Sequence, residues 1–269
     1  MRSPGEIAEF AVSVGKGKAE LSWQRQLGLG FLAGMFIALA AVGANTAAAA
    51  MENPGVAKLL ASVVFPAGLA MVLVAGSELF TGNCLMVMGV LEKKFGICAM
   101  LRNWLLVYLG NFAGSVFVAW LVWASGQLSL FGGKLAEATI RTANAKCALS
   151  FGPAVALGIL CNFLVCIAVW MSFSAKTTAG KIACAFLPVM LFVLAGFEHS
   201  VANMYYIPAG LFLAADPAYA GALAAVGGAS LGVGNFFLAN LVPVTIGNIL
   251  GGGVLVGVLY WFLYRKDAA

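Results

Sequence analysis

The sequence predicts an all-α membrane protein with six transmembrane helices, arranged as two inverted three-helix repeats whose second and fifth helices are broken. Of its 269 residues, 62% are apolar and 9% are charged, whereas soluble domains carry about 45–50% apolar and about 25% charged residues. The apolar residues gather in six long segments, and two of these are interrupted by the same motif. This composition excludes a soluble fold and a disordered chain.

Each apolar segment supplies the roughly 20 residues that a helix needs to cross a bilayer. The six segments lie near residues 27–50, 61–91, 103–125, 153–173, 185–214 and 241–264. The second and fifth segments are longer than one simple span requires. Polar residues and glycines interrupt them at residues 76–83 and 196–203.

Residues 1–26 precede the first span and predict a cytoplasmic amphipathic N-terminal helix, followed by a single transmembrane domain at 27–269. Ser3 and Glu6 have the spacing of a capping box, and Pro4 occupies the first helical position. Apolar residues then recur at helical spacing. The segment is therefore expected to lie along the membrane surface.

The distribution of lysine and arginine predicts the orientation of the chain. Eleven of these residues, Lys266 included, fall on the side that holds both termini, and four fall on the opposite side. Because basic residues are retained in the cytoplasm, both termini are expected there, with the protein in the inner (cytoplasmic) membrane. The basic residues form no cluster typical of nucleic-acid binding.

Two sets of residues recur along the chain and indicate an internal duplication. The first recurs at an offset of 120 residues, and it contains Gly76, Glu78 and Asn83, then Gly196, Glu198 and Asn203. The second recurs at an offset of 137 residues, and it contains Asn103 and Asn111, then Asn240 and Asn248. Repeat one covers about 27–125 and repeat two about 153–264. Since each half has three spans, the second half must be inverted, as in many transporters.

The repeated breaks predict where irregular backbone lies inside the membrane. Such backbone persists only where protein buries it or where it lines a cavity. Glu78 and Glu198 are expected to serve as a scaffold by accepting unpaired backbone N–H groups of the broken helices, and the alternative is direct contact with a substrate. Asn83 and Asn203 are expected to satisfy polar groups in the same way.

His199 is the only histidine and lies in the second break. An ionisable group at this depth is a candidate functional residue, although it can also be a hydrogen-bonded core side chain. One histidine excludes a haem held by two imidazoles and a multi-histidine metal site within one chain. The six cysteines form no CxxC pair. No cofactor is expected.

At these residues the chain resembles the formate/nitrite transporter family, which includes formate, nitrite and hydrosulfide channels. The stretches that carry the resemblance are 75–81, 196–204 and 240–248. The resemblance covers nearly the whole chain. It implies an aquaporin-like six-helix protomer, a homopentamer and a separate pore in each protomer.

The resemblance also implies which residues line the pore. The implied pore centre consists of His199, Thr81 and Asn162. The implied apolar constrictions are Phe65, Leu69, Leu79, Phe80 and Phe192, and the lysines that attract anions at the vestibules are Lys16 and Lys146. From the residues alone, other roles stay open: a local backbone bond for Thr81, helix packing for Asn162, core packing for the apolar residues and solvation for the lysines.

The function predicted from these features is that of a channel for small monovalent anions of weak acids, namely formate, nitrite or hydrosulfide, and not that of an enzyme. Its expected partners are the anion, protons and the lipid bilayer. One alternative is an aquaporin-like pore for neutral solutes, although the Asn-Pro-Ala pairs of aquaporins are absent. A second alternative is a membrane redox enzyme, against which the single histidine argues.

Overall fold

The computed structural model describes residues 1–265, and all regular structure in this range is helical. Lys266, which was counted in the charge distribution, lies outside the described residues. We number the helices in chain order and join consecutive helical segments where they form one continuous helix. The helices are α1 (Pro4–Glu20), α2 (Trp23–Ala49), α3 (Pro54–Gly76), α4 (Phe80–Leu91), α5 (Ile97–Ala124), α6 (Lys134–Cys147), α7 (Phe151–Ser174), α8 (Thr178–Ala195), α9 (Ser200–Ala215), α10 (Ala220–Val226) and α11 (Val233–Tyr264).

Six helices within residues 1–265 are long and apolar enough to cross a bilayer, namely α2, α3, α5, α7, α8 and α11. Each falls within one of the six predicted segments or overlaps it, so the prediction of a multi-pass membrane protein is confirmed. Among the starts of these helices, the largest difference from the prediction is at α11, which begins at Val233 instead of near residue 241. Asn240, directly before the predicted start, is buried inside the helix.

The N-terminal segment forms α1, as the capping box predicts. The hydroxyl of Ser3 accepts a 3.4 Å hydrogen bond from the N–H of Glu6, and the N–H of Ser3 donates to the Glu6 carboxylate at 2.7 Å. These bonds lower the pKa of the exposed Glu6 below its ordinary value. The apolar face of α1, with Ile7 and Ala11, packs against Trp170 of α7. This end of the molecule is the α1 side.

Two helical paths are interrupted, and a glycine in the left-handed region stands at each interruption. Gly76 has φ of 82° and Gly196 has φ of 76°, a conformation that costs glycine little because it has no Cβ. After Gly76 the chain leaves α3, and it becomes helical again at Phe80. After Gly196 it leaves α8, and it becomes helical again at Ser200.

Two close helix crossings connect the elements around these interruptions. At the crossing of α2 and α5, a Cβ on Gly34 would overlap the carbonyl of Asn111. At the crossing of α7 and α11, a Cβ on Gly247 would overlap the carbonyl of Val155. The glycines therefore allow backbone-to-backbone contact, as small residues commonly do between membrane helices.

A substitution at one of these crossings tests this packing. Gly34→Ala is expected to destabilise the protein by about 1–3 kcal/mol, because the added methyl forces α2 and α5 apart. Gly28→Ala in the same helix is the matched control, since no atom lies within 4 Å of its added Cβ. Thermal unfolding in detergent checks the difference; equal unfolding temperatures for the two variants would contradict the close crossing.

Candidate functional site

The two interruptions meet at a buried pair of side chains. The hydroxyl oxygen of Thr81 lies 2.9 Å from Nε2 of His199. Thr81 is the second residue of α4, and His199 directly precedes α9. Their exposed fractions are 0% and 3%. The structure therefore brings together two of the residues that the sequence assigned to the pore centre, from opposite halves of the chain.

The second ring nitrogen of His199 fixes the tautomer of the neutral imidazole. Nδ1 accepts a 3.0 Å hydrogen bond from the backbone N–H of Ala202, so His199 caps the start of α9. A nitrogen that accepts an N–H carries no proton of its own. The ring proton of neutral His199 is therefore on Nε2, where it is donated to the Thr81 hydroxyl.

Asn162 of α7 binds the backbone next to this pair. Its amide donates to the carbonyl oxygen of Thr81 at 3.1 Å and to that of Asn248 at 2.7 Å. The side chain is fully buried. Asn162 therefore positions the Thr81 backbone and joins α4 to α7 and α11.

The first interruption carries a buried polar network around Glu78. The Lys18 ammonium lies 2.7 Å from one carboxylate oxygen of Glu78, and the Asn83 amide donates to the other at 2.7 Å. Asn83 also donates to the side-chain oxygen of Asn103 at 2.8 Å. The network connects α1, α4 and α5 to the interruption.

The second interruption carries the same network around Glu198. The Lys146 ammonium lies 2.8 Å from one carboxylate oxygen of Glu198, and the Asn203 amide donates to the other at 2.7 Å. Asn203 donates to Asn240 at 2.7 Å, and the Asn240 amide in turn donates to Glu198 at 3.3 Å. Lysine, glutamate and two asparagines thus recur in the same arrangement.

Two further asparagines cap the helices that begin after the interruptions. The side-chain oxygen of Asn111 accepts the N–H of Phe80 at 2.9 Å, and that of Asn248 accepts the N–H of Ser200 at 2.9 Å. The amide of Asn111 also donates to the carbonyl of Glu78, and the amide of Asn248 donates to the carbonyl of Glu198. Both asparagines are fully buried.

The expectation that the carboxylates of Glu78 and Glu198 accept backbone N–H groups is therefore wrong. Among the described residues, their hydrogen-bond donors are lysine and asparagine side chains. The caps are uncharged amides at Asn111 and Asn248, which can accept one backbone N–H and donate to carbonyls at the same time. A carboxylate accepts only, so it cannot satisfy both kinds of backbone group.

Two cavities flank the Thr81–His199 pair. The α1-side cavity has a volume of about 470 Å³ and is lined by Lys18, Leu69 and Leu79, among others. The second, which we call the α6-side cavity, has a volume of about 500 Å³. α2 has 27 residues and is therefore about 40 Å long. Since its start lies near α1 and its end lines the α6-side cavity, the two cavities open at opposite ends of the molecule.

Aromatic rings close the base of the α6-side cavity. Phe65 and Phe192 meet edge to face with ring centroids 5.7 Å apart, and Phe192 stacks on His199 at 5.9 Å. All three residues line this cavity. Leu69 and Leu79 occupy the corresponding place in the α1-side cavity. Four of the five residues that the sequence assigned to constrictions therefore lie at a cavity.

Phe80 and Lys16 lie elsewhere. Phe80 packs edge to face against Trp104 and Tyr108 of α5, with centroids 5.9 and 4.9 Å away. Lys16 lies 3.8 Å from Glu20 on α1, and their side chains are 56% and 65% exposed. Lys18, two residues further on, is the lysine that lines the α1-side cavity. Helical rotation places the two lysines on different faces of α1, and their sequence spacing did not reveal which one faces inward.

Sequence reasoning also missed Asn111 and Asn248 as caps, although both had marked the repeat. Their recurrence at a fixed offset in apolar segments was a usable signal, because a buried amide needs partners. The partners themselves are 31 and 48 residues away along the chain. Only the folded chain shows them.

Six membrane-spanning helices, two interruptions that meet at a buried polar pair, and a cavity on either side define an integral membrane transport protein. The sequence profile described as formate/nitrite transporter matches residues 5–262. The chain belongs to the formate/nitrite transporter family.

Relatives and solved structures agree with this assignment. The chain is 39% identical to the formate channel FocA of Escherichia coli (strain K12), over 98% of this chain and 95% of the relative. It is 36% identical to a probable formate transporter of Methanothermobacter thermautotrophicus, over 99% and 98% of the two chains. A solved structure described as a pentameric formate channel with formate bound superimposes with a TM-score of 0.81 at 37% identity, covering 91% of this chain and 98% of that one.

The different environments of Lys18 and Lys16 give a testable prediction. Lys18→Met is expected to destabilise the protein by about 3–5 kcal/mol, because it leaves the buried carboxylate of Glu78 without its cation. Lys16→Met is the matched control and is expected to change stability by less than about 0.5 kcal/mol, since its ion pair is exposed. Denaturant unfolding in detergent compares the two; a larger loss at Lys16 would contradict the assignment.

Proposed function

We propose that the chain is a channel for small monovalent anions of weak acids and that formate is its main substrate. The observation that carries this proposal is the Thr81–His199 pair, which lies buried between two opposed cavities. A formate channel among the relatives, and a solved neighbour described with formate bound, support formate as the anion. Nitrite and hydrosulfide have the same charge and are small enough for the same path.

In this proposal the two halves form inverted repeats of an aquaporin-like protomer, and their interruptions line one pore. The matching lysine, glutamate and asparagine networks support the repeat, since equivalent residues make equivalent bonds at both sites. The α1 side faces the cytoplasm, as the distribution of basic residues predicts. Both termini then lie in the cytoplasm, and the protein spans the inner membrane.

The electrostatics of the pore centre favour an anion. α4 and α9 both begin at the Thr81–His199 pair, and helix N-termini carry a partial positive charge. Apolar residues on either side narrow the path and remove water from the ion. They are Phe65 and Phe192 on the α6 side and Leu69 and Leu79 on the α1 side. Removing water from a charge is costly, so the helix ends and the two hydrogen-bonding side chains offset that cost at the centre.

His199 acts here as a neutral hydrogen-bond donor. Its Nδ1 accepts the Ala202 N–H, so a second proton on the ring would place two donors against each other and break the cap of α9. Nε2–H therefore serves as the donor, and Thr81 orients it. The Thr81 hydroxyl accepts this bond and keeps its own proton to donate to a passing anion.

Replacing His199 with asparagine separates hydrogen-bond donation from proton transfer. An asparagine can cap α9 and still offer an amide donor, but it does not titrate. We expect His199→Asn to keep measurable formate flux at neutral pH, within about tenfold of the unmodified protein. His199→Ala is expected to lose at least about tenfold more, because it removes one charge-binding donor worth about 1.5–3 kcal/mol.

Formate uptake into proteoliposomes measures this difference, and circular dichroism of each variant controls for folding. If His199→Asn were as inactive as His199→Ala while remaining folded, the pore centre would require a titrating group, and the neutral-donor mechanism would be wrong. If all variants carried formate at the unmodified rate, the central site itself would be in error.

The proposed assembly is a homopentamer in which each protomer has its own pore. The support is the solved neighbour described as a pentameric channel, which the chain matches over 91% of its length. Native mass spectrometry of the detergent-solubilised protein is expected to give five copies of the 27.8 kDa chain. A monomeric or dimeric species as the dominant form would contradict this assembly.

A further inference from the structure

We propose that Lys58 supplies an uncompensated positive charge beside the second interruption in the α6-side cavity and so sets the rate at which anions enter it. This inference rests on the proposed anion-channel function and names a residue that controls it. The lysine that the sequence resemblance assigned to this vestibule is Lys146. The charges around that residue point instead to Lys58 as the cation that attracts the anion.

The charge of Lys146 is already balanced. Its ammonium lies 2.8 Å from the carboxylate of Glu198, and the two side chains are only 15% and 8% exposed. A close ion pair has a weak field at a distance, since the two charges largely cancel. Lys146 therefore holds the second interruption in place and contributes little net attraction to an approaching anion.

Lys58 has no such partner. Within residues 1–265, its ammonium makes no hydrogen bond or ion pair. The side chain reaches into the α6-side cavity, where its nitrogen lies 3.6 Å from the place that a Cβ on Gly196 would occupy. It is also close enough to Lys146 and Glu198 to interact electrostatically with both. The free charge therefore lies against the interruption that leads to His199.

The two cavities differ in net charge because of Lys58 and Arg141. The charged side chains that line the α1-side cavity are Lys18 and Glu78, and they neutralise each other. The α6-side cavity is lined by Lys58, Arg141 and Lys146, with Glu198 as its acidic residue. The lysine–glutamate network at each cavity therefore has no net charge. Lys58 and Arg141 give the α6-side cavity a net positive charge, which attracts anions.

A purely structural role for Lys58 makes a different prediction. α8 ends at Ala195, directly before Gly196, and a cation near a helix C-terminus can stabilise that helix. Loss of such a contact would lower stability or flux at every ionic strength. Attraction of a mobile anion across a water-filled cavity instead weakens as salt is added, because the Debye length falls from about 30 Å at 0.01 M to about 3 Å at 1 M.

The test measures formate flux into proteoliposomes at about 0.01 M and about 1 M ionic strength. Lys58→Met is expected to lower flux by about threefold at low salt, the effect of removing one charge at about 6 Å in water, and to match the unmodified protein at high salt. Lys58→Arg is expected to keep the low-salt rate. Lys134→Met is the matched control, because it removes an exposed lysine on α6 that does not line this cavity.

A chemical rescue tests the same point in one preparation. Lys58→Cys treated with a cationic methanethiosulfonate is expected to recover the low-salt rate, and an anionic one is expected to lower it further. The unmodified protein, which has an exposed cysteine at Cys98, receives both reagents as the control.

The outcomes are distinct. Unmodified protein that carries formate, with Lys58→Met equal to it at low salt, would overturn the role of Lys58 and leave the channel proposal standing. A loss of equal size at both salt concentrations, with no rescue by the cationic reagent, would assign Lys58 to the support of α8. If the unmodified protein carried no anion at all, both proposals would fail.

Discussion

The structure depends on satisfying the backbone hydrogen-bond groups at the two interruptions of the helical path. Hydrocarbon offers no hydrogen-bond partners, so unpaired N–H and carbonyl groups must find them within the protein. Asn111 and Asn248 do this with both ends of their amides: each donates to a carbonyl within an interruption and accepts the first N–H of the helix that follows it. Without them the interruptions would be costly, and the helix N-termini that face the Thr81–His199 pair would not be held there.

The carboxylates of Glu78 and Glu198 also hold the interruptions in place. Each binds one lysine and one asparagine across elements that are distant in the chain. A buried carboxylate without these partners is strongly destabilising, whereas a paired and fully hydrogen-bonded one is tolerated. The ion pairs thus fix the interruptions in place and leave both cavity walls without net charge, apart from Lys58 and Arg141.

Matching scaffolds support a centre whose two halves differ. At the offset of 120 residues, Thr81 corresponds to Val201 and His199 to Leu79, so each half gives one polar group and one apolar group. The side chains that lie near the backbone carbonyls of Thr81 and Val201 also differ. Asn162 donates to the carbonyl of Thr81, whereas Ser115 lies 3.5 Å from the carbonyl of Val201. Equivalent networks therefore hold the two interruptions, while Thr81 and His199, which have apolar counterparts in the other half, form the polar pair between them.

The sequence by itself determined the membrane class, the six spans, α1 with its capping box and the positions of both interruptions. These follow from local properties, namely the length of the apolar segments, the capping box of Ser3 and Glu6, and the glycines in the interruptions. The structure shows a left-handed φ at Gly76 and Gly196. Resemblance to a known family also placed Thr81 and His199 together. Such features are readable because each depends on residues that are neighbours along the chain or recur at a fixed offset.

The tertiary structure decided which polar groups meet. Lys18 rather than Lys16 reaches Glu78, Phe80 packs against α5, and asparagines instead of carboxylates cap the broken helices. Each of these outcomes depends on the rotation of a helix about its axis or on contact between residues far apart in the chain. The role proposed for Lys58 shows the same limit, since it depends on the pairing of Glu198 with Lys146.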